Sequence, residues 1–309
     1  MVENDIWKTA RAAVLAGQKA VLIVIVRSEG SVPGKRGAKM VVTDTDSAGT
    51  VGGGTVEQEL RRSALAVRSS LITVVEHNSA ASSSVCSGEQ TVAIYPFRST
   101  DADSLSRIVE TLDAHRFGAL SITDDLLAFQ PDASCETVFH ASDDTWAFHE
   151  TIGFERILTI IGGGHVSLSL SRVMATLPFK LRVLDDREDI VTMTGNRYAH
   201  ERLVITYDSL LPLVPTGDRS FVTIMTHHHE GDEAVLRQLA PFSFGYLGML
   251  GSRTKVSGMF ERLASTGISA ADLAKVHAPI GLPIGSKTPS EIALSIAAEI
   301  VQTANRKGL

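Results

Sequence analysis

The sequence predicts an α/β protein. A smaller N-terminal α/β domain is expected over residues 1–152, and a Rossmann-like domain with a doubly wound parallel sheet over residues 153–309. The leading observation is the apolar run Ile157–Ile161, which is followed at once by three glycines and then by apolar residues at helical spacing. A second apolar run, Leu181–Leu184, ends in acidic residues. A separate glycine turn, Gly52–Gly54, precedes another helical pattern in the first domain.

The composition is that of an ordinary globular protein, with 44% apolar and 21% charged residues in a chain of 309. A net charge of −6 argues against non-specific binding to nucleic acids or to membrane surfaces. The sequence shows no signal-peptide pattern and no apolar run close to the ~20 residues of a membrane span. Two cysteines make neither a disulfide framework nor a metal quartet, so we expect a reducing cytoplasm.

The N-terminal domain is predicted to combine helices with short strands. Its first buried strand is Val21–Val26, and the loop that follows carries Lys35, Arg36 and Lys39 among glycines. The other predicted elements, in chain order, are a helix over about 5–20, strands Ala38–Thr43, Leu71–His77 and Thr91–Phe97, a helix over 101–116, and short strands from Gly118 to about Phe154.

Two features of this domain are candidates for ligand contact. Gly52, Gly53 and Gly54 open a predicted helix, and Glu57 lies in its first turn, where a carboxylate suits the helix dipole. Such a turn can receive an anionic group or a bulky ring system, or it can simply be a turn that requires positive φ. Cys86 lies in a loop rich in Ser and Gly, so its thiol is expected to be accessible, although a lone exposed cysteine is more often incidental.

Gly162, Gly163 and Gly164 lie where a Rossmann fold holds a phosphate, because glycine permits close approach and the next helix offers free N–H groups. Asp185 follows at about the ~20-residue offset from which an acid accepts hydrogen bonds from ribose hydroxyls. Ser167 stands in place of the third glycine of G-x-G-x-x-G, so the motif is partial. Several nucleotide-like ligands suit such a unit, NAD among them, and a tight turn without a ligand is the alternative.

Two later strand ends carry further candidates. His227 begins a run of three histidines after the strand Phe221–Thr226, but adjacent residues of an extended chain point apart, so no three-histidine zinc site is predicted. Arg253 and Lys255 follow the strand Tyr246–Leu250 and suit an anionic ligand. The remaining predicted elements are a strand over 201–207, a helix Glu233–Leu239 and a last helix that starts with an N-cap, a proline and a capping-box acid at Thr288, Pro289 and Glu291.

Eight short segments of the chain occur in a specific order: GSVPGKRGAKM, GTVGGGTVE, VCSGE, IIGGGHV, VLDDR, MTHHHEGD, YLGMLGSRTK and GLPIGSKTPSEIALSIAAEI. In this order they resemble the XdhC/CoxI family, which comprises accessory proteins of molybdenum hydroxylases such as xanthine dehydrogenase. The resemblance spans nearly the whole chain, and residues of about 100–150 contribute least to it. The second segment is closer to the XdhC branch, because the CoxI branch more often has a cysteine at the position of Thr55.

The resemblance implies a protein that binds the molybdenum cofactor (molybdopterin) and protects it. Such a protein promotes sulfuration of the cofactor with a cysteine desulfurase and delivers it to a xanthine dehydrogenase-type molybdenum hydroxylase. It implies a cofactor chaperone rather than an enzyme, and a homodimer. The cofactor-binding residues that we expect, with Cys86 also as a candidate metal contact, are Gly52, Gly53, Gly54, Glu57, Cys86, Gly162, Gly163, Gly164, His165, Asp185, Arg187, His227, Arg253 and Lys255.

One departure from the family pattern concerns the cysteine loop, where Ser87–Gly88 stands in place of two glycines. A further hypothesis is that the two glycine turns shield the cofactor jointly. Two other functions fit the Rossmann unit and stay open at this point. One is an NAD(P)-dependent oxidoreductase, for which the sequence shows no clear proton donor–base pair. The other is a binding protein that senses a nucleotide and regulates a partner.

Overall fold

The computed structural model describes residues 2–77, 88–143 and 145–306. The chain divides into two compact units, Met1–Gly153 and Phe154–Leu309, which we call unit 1 and unit 2. Among the described residues, no helix combines the length and the apolar character that crossing a membrane requires.

Unit 1 contains three α-helices and nine strands among its described residues. The helices are α1 (Val2–Leu15), α2 (Gly54–Ala64) and α3 (Ala102–Asp113). The strands are β1 (Ala20–Gly30), β2 (Lys39–Thr43), β3 (Ser47–Gly49), β4 (Leu71–His77), β5 (Gly88–Pro96), β6 (Phe117–Thr123), β7 (Leu127–Pro131), β8 (Val138–Ala141) and β9 (Trp146–Gly153).

Two antiparallel sheets organise unit 1, one in the order β3-β2-β1-β5-β4 and the other in the order β7-β6-β9-β8. The apolar run of β1 is central and buried on both faces, as its sequence predicts. One face packs in a core with α1, α3 and the second sheet, and the other packs against Leu60 and Ala64 of α2. The loop predicted after Val26 begins only after Gly30, because β1 stays paired with β5 as far as Gly88.

A buried ion pair links the two sheets of unit 1. The Lys39 ammonium of β2 lies 2.9 Å from the Glu150 carboxylate of β9 and 3.3 Å from Glu3 of α1. Both Lys39 and Glu150 are more than nine-tenths buried. Lys39 also donates a hydrogen bond of 2.9 Å to the carbonyl of Gly37. The cation that the sequence places in a basic loop is therefore part of the interior.

Unit 2 contains six α-helices and five strands among its described residues. The helices are α4 (His165–Met174), α5 (Val191–Thr194), α6 (His229–Leu239), α7 (Arg253–Ser265), α8 (Ala270–Leu273) and α9 (Pro289–Arg306). The strands are β10 (Arg156–Ile161), β11 (Phe179–Asp185), β12 (Glu201–Val204), β13 (Gly217–Ile224) and β14 (Phe244–Met249).

The five strands of unit 2 form one parallel sheet in the order β12-β11-β10-β13-β14, which confirms the predicted Rossmann-like domain. The strand order reverses between β10 and β13, and ligands of such sheets bind outside the carboxyl ends at that point. Ser167 of α4 is 1% exposed, so it allows the close packing of helix on strand that the third glycine gives elsewhere. The predicted capping box is also confirmed, since Glu291 accepts from the Thr288 amide and Thr288 accepts from the Glu291 amide.

Removing one partner of the buried pair should destabilise unit 1. We expect Lys39→Ala or Glu150→Ala to lower the free energy of unfolding by about 3 to 5 kcal/mol, because an unpaired charge stays buried. The double variant Lys39→Met/Glu150→Met should recover most of the loss. Both tryptophans of the chain, Trp7 and Trp146, lie in unit 1, so tryptophan fluorescence during urea unfolding reports on this unit. Single variants that unfold at the wild-type urea concentration would contradict the expectation.

Candidate functional site

The glycine turn of unit 2 joins β10 to α4 at the carboxyl edge of the sheet. Gly162 has φ of +109°, and a Cβ there would lie 2.1 Å from the Met225 carbonyl oxygen. Gly164 caps α4 with an ordinary φ of −73°, and a Cβ there would meet no heavy atom within 4 Å. The first glycine is therefore required by backbone packing, whereas the third opens onto free space.

Asp185 ends β11 next to this turn and has no exposed surface. Its carboxylate accepts hydrogen bonds from the Gly163 amide at 2.6 Å and from the Arg187 amide, Nε and Nη2 at 2.8–2.9 Å. Burial alone would raise the pKa of Asp185, but these hydrogen bonds outweigh it and hold that pKa below its ordinary value. With four donors on two oxygens, Asp185 holds the glycine turn in place, and a ribose hydroxyl would have to displace one of them.

A cavity of about 540 Å³ at this edge is lined by residues that follow β11 and β12 and by the segment from His227 to Ala234, which follows β13. Asp186 and His227 face it, with 3.6 Å between the carboxylate oxygen and Nδ1, and the ring centroids of His227 and His228 lie 3.8 Å apart with the rings tilted by 46°. Tyr207 also lines it, and burial beside the carboxylates of Asp185 and Asp186 raises the pKa of its hydroxyl. The lining therefore offers carboxylate, imidazole and phenol groups.

Two neighbouring segments complete this edge. Thr226, directly before His227, donates from its amide and its hydroxyl to Asp232 at 2.9 and 2.7 Å, and burial raises the pKa of Asp232. Arg253 and Lys255 are exposed in the first turn of α7, which follows β14. His165 is exposed as the first residue of α4. The structure thus places His165, Asp185, Arg187, His227, Arg253 and Lys255 at the carboxyl edge of one sheet.

The glycine turn of unit 1 is held by a different carboxylate. Gly52, Gly53 and Gly54 all have positive φ, of 123°, 75° and 74°. One oxygen of Glu57 accepts from the Thr50 hydroxyl at 2.5 Å and from the amides of Val51 and Gly53 at 2.9 Å. Partial burial opposes ionisation, but these hydrogen bonds outweigh it and lower the pKa of Glu57. Glu57 therefore fixes the loop, a role that the dipole argument alone did not predict.

A second loop of unit 1, residues 31–37, packs against this turn. A Cβ on Gly34 would lie 2.3 Å from the Val51 carbonyl oxygen, so the two backbones touch. The Gly34 carbonyl accepts a hydrogen bond of 2.8 Å from the buried Gln90 amide, whose oxygen lies 2.7 Å from His77 Nε2. The segment with Cys86 lies outside the described residues, as does its predicted metal contact. Among the residues that are described, no group of three or more His, Cys, Asp or Glu could hold a metal ion.

Some residues that shape the candidate regions, Gln90 in unit 1 and Asp186 and Tyr207 in unit 2, were not among the predicted ones. Tyr207 and Gln90 carry no local signal in a single sequence, because their positions depend on packing between distant segments. The tandem Asp185–Asp186 is an exception, since alternation along a strand points neighbours in opposite directions. That alternation could have separated the buried carboxylate from the one that faces the cavity.

Comparison with known proteins identifies the family. Residues 158–300 match the family model of the XdhC Rossmann domain, and residues 13–78 match that of the XdhC and CoxI family. The chain belongs to the XdhC/CoxI family. The resemblance seen in the sequence is thereby confirmed.

Relatives of this XdhC/CoxI protein include "Uncharacterized protein YqeB" of Escherichia coli, 31% identical over 50% of this chain and 28% of that protein. A probable xanthine dehydrogenase subunit of Bacillus subtilis is 27% identical over 54% of this chain and 48% of that protein. The matches thus span about half or less of these relatives' length. A crystal structure described as a xanthine dehydrogenase from Bacillus halodurans shares the fold, with a TM-score of 0.77 and 23% identity over 99% of this chain and 97% of that one.

The two ends of the unit 2 glycine turn should respond differently to substitution. We expect Gly162→Ala to destabilise unit 2 by about 3 kcal/mol or more, because positive φ and a backbone clash act together. Gly164→Ala should lower the free energy of unfolding by no more than about 1 kcal/mol, because φ at this position is ordinary and the added Cβ meets no neighbouring atom. Hydrogen exchange of peptides from residues 154–306 measures both changes. Equal loss of protection in the two variants would contradict this assignment.

Proposed function

We propose that this protein binds the molybdenum cofactor, protects it, promotes its sulfuration and delivers it to a xanthine dehydrogenase-type molybdenum hydroxylase. Membership of the XdhC/CoxI family supports this proposal. We further propose that a cysteine desulfurase supplies the sulfur, that the protein acts as a homodimer, and that it works in the cytoplasm.

The observation that carries the proposal is the start of α4. Gly164 gives no side-chain cap, and no acidic residue lies in the first turn. The first N–H groups of a helix need partners, and an anion at this position satisfies them and the helix dipole. In contrast, Ser252 caps α7 from within the chain by accepting from the Lys255 amide. The free space beside Gly164 therefore suits the phosphate of a pterin cofactor.

The residues around Gly164 also offer cations and hydrogen-bonding groups that suit such a cofactor. Arg253 and Lys255 supply cations at the same sheet edge, and His165 and His227 supply donors or acceptors according to their protonation. The cofactor, when bound, supplies the molybdenum centre whose ligand is exchanged. The chain itself binds and orients the cofactor. In this proposal the thiol of Cys86 contacts the soft metal or sulfur.

Nucleotide binding is the second candidate, and the cavity at Asp186 favours it. Residues that follow β11, β12 and β13 line the cavity, so it lies across the switch point at which a Rossmann fold binds its ligand. Asp186 has an exposed carboxylate there, unlike Asp185. Titration with NAD(P)H tests this candidate. Tight binding with substrate turnover would indicate an oxidoreductase, and tight binding without turnover a nucleotide sensor.

Cofactor content of the protein tests the proposed function. After anaerobic purification and acid oxidation, we expect a fluorescent pterin in an amount stoichiometric with the wild-type chain. Gly164→Leu should lower retention about tenfold or more, because it fills the space where the phosphate would be hydrogen-bonded. Circular dichroism should stay unchanged, with Gly164→Ala as the matched control. Wild-type protein without pterin that still binds NAD(P)H tightly would favour the second candidate instead.

The two cysteines form a natural matched pair for a second test. We expect Cys86→Ala to reduce activation of an apo-hydroxylase without changing the unfolding transition, because only thiolate contact with the cofactor is lost. Cys135 is a half-buried thiol in unit 1, and Cys135→Ala should leave activation unchanged. Activation assays of an apo-hydroxylase with cysteine desulfurase and molybdenum cofactor measure the effect of both substitutions. Full activation by Cys86→Ala would remove this thiol from the proposed mechanism.

A further inference from the structure

The carboxylate of Asp186 faces the cavity of unit 2 with acceptor capacity to spare. It lies 3.6 Å from His227 Nδ1 and 3.9 Å from Arg187 Nε, and both distances exceed that of a hydrogen bond. Asp185, directly before it, is held by four hydrogen bonds, so the backbone that carries Asp186 is fixed. The two oxygens of Asp186 are therefore presented to the cavity as acceptors at a defined place.

A buried phenol lies beside this carboxylate. Tyr207 lines the same cavity and is 8% exposed. Its hydroxyl has no hydrogen-bond partner of good geometry in the described part of the chain. Burial, together with the nearby carboxylates of Asp185 and Asp186, raises the pKa of this hydroxyl, so it stays protonated and can donate. Because leaving a buried polar group unpaired is costly, an unpaired hydroxyl in a cavity wall indicates a ligand that supplies its partner.

Helix α6 holds Tyr207 in position. Gln238 accepts from the Leu210 amide at 3.0 Å and donates to the Tyr207 carbonyl, so one side chain fixes the loop after β12 at two points. A Cβ on Gly231 would lie 3.4 Å from Tyr207 Cδ2, which places the ring against the first turn of the helix. The phenol is thus as firmly placed as the carboxylate beside it, and a ligand meets a preformed wall.

Together the two side chains supply one donor and two acceptors. The complementary pattern is a carbonyl, a ring N–H and an exocyclic amino group side by side, which is the pyrimidine edge that pterins and guanine share. We propose that Asp186 and Tyr207 recognise this edge, with the ring N–H and the amino group donating to Asp186 and the carbonyl accepting from Tyr207. That the ligand is the pterin of the molybdenum cofactor rests on the proposed function, whereas recognition of the edge does not.

A pair of pteridines tests the donor pattern. Lumazine is the pteridine in which an oxo group replaces the amino group of pterin, so it would place oxygen lone pairs against the Asp186 carboxylate. In titrations of the full-length protein, we expect pterin to bind about tenfold or more tightly than lumazine. Equal affinities for the two compounds would overturn the proposal.

The variant Asp186→Asn should invert this preference. An amide keeps one acceptor for the ring N–H and adds one donor, which suits the extra oxo group of lumazine and opposes the amino group of pterin. Asp189 is exposed and does not line the cavity, so Asp189→Asn removes the same charge and should change both affinities by less than about twofold. Equal weakening of pterin and lumazine by Asp186→Asn would show that Asp186 acts only through its charge, and the proposal would fail.

The variant Tyr207→Phe tests the donor separately, because it removes only the hydroxyl. Pterin and lumazine both carry the carbonyl that this hydroxyl would bind. We therefore expect both to bind severalfold more weakly, with the ratio of their affinities unchanged. Unchanged affinities would contradict the role assigned to Tyr207.

Two nucleosides separate this proposal from the proposed function. Guanosine and adenosine share the ribose, but only guanosine carries the proposed edge. If guanosine binds through Asp186 and pterin does not, the proposed function fails while recognition of the edge stands. If adenosine binds as tightly as guanosine and both depend on Asp186, this carboxylate binds the ribose and the proposal is overturned. If the purified protein retains molybdopterin in an amount that Asp186→Asn does not lower, and pterin and lumazine bind equally, the proposed function stands and the recognition site fails.

Discussion

The contact between a buried carboxylate and the backbone of a glycine turn underlies the candidate site of unit 2. Asp185 accepts a hydrogen bond from the Gly163 amide at the end of the neighbouring strand, and Arg187 closes over the same carboxylate. The turn is thereby held from within the protein. None of these bonds uses the first N–H groups of α4, so the support of the turn leaves those groups unoccupied.

In unit 1 the glycine turn is also held by a carboxylate, but this carboxylate belongs to a different kind of element. Glu57 belongs to the helix that follows the turn, and its carboxylate reaches back to the amides of Val51 and Gly53. In both units the carboxyl pKa is lowered, so each turn is supported by an ionised group at neutral pH. This support is complete above the ordinary pKa of a carboxyl group. It is lost only as the pH falls through the lower pKa of the folded state.

Local sequence signals predicted the elements of the fold well, because strand, glycine turn and helix each leave a pattern within a few residues. The run Ile157–Ile161, the turn after it and the cap at Thr288 needed no tertiary information. The role of Asp185 could not be predicted in this way, since a free strand-end acid and one that already binds Arg187 look alike in sequence. Lys39 is a similar case: a basic loop predicts exposure, but the partner that buries it, Glu150, is distant in the chain.

The charges along the sheet edge of unit 2 are unevenly distributed, and this restricts how a ligand can lie there. At the ends of β11 and β12, the Asp186 carboxylate repels a phosphate, and both Asp186 and the neutral Tyr207 phenol can hydrogen-bond to neutral polar groups. Arg253 and Lys255 follow β14, on the opposite side of β10. The start of α4 lies between them. A ligand with one anionic end and one neutral heterocyclic end matches this order, whereas a ligand with charge at both ends places one of its anions against Asp186.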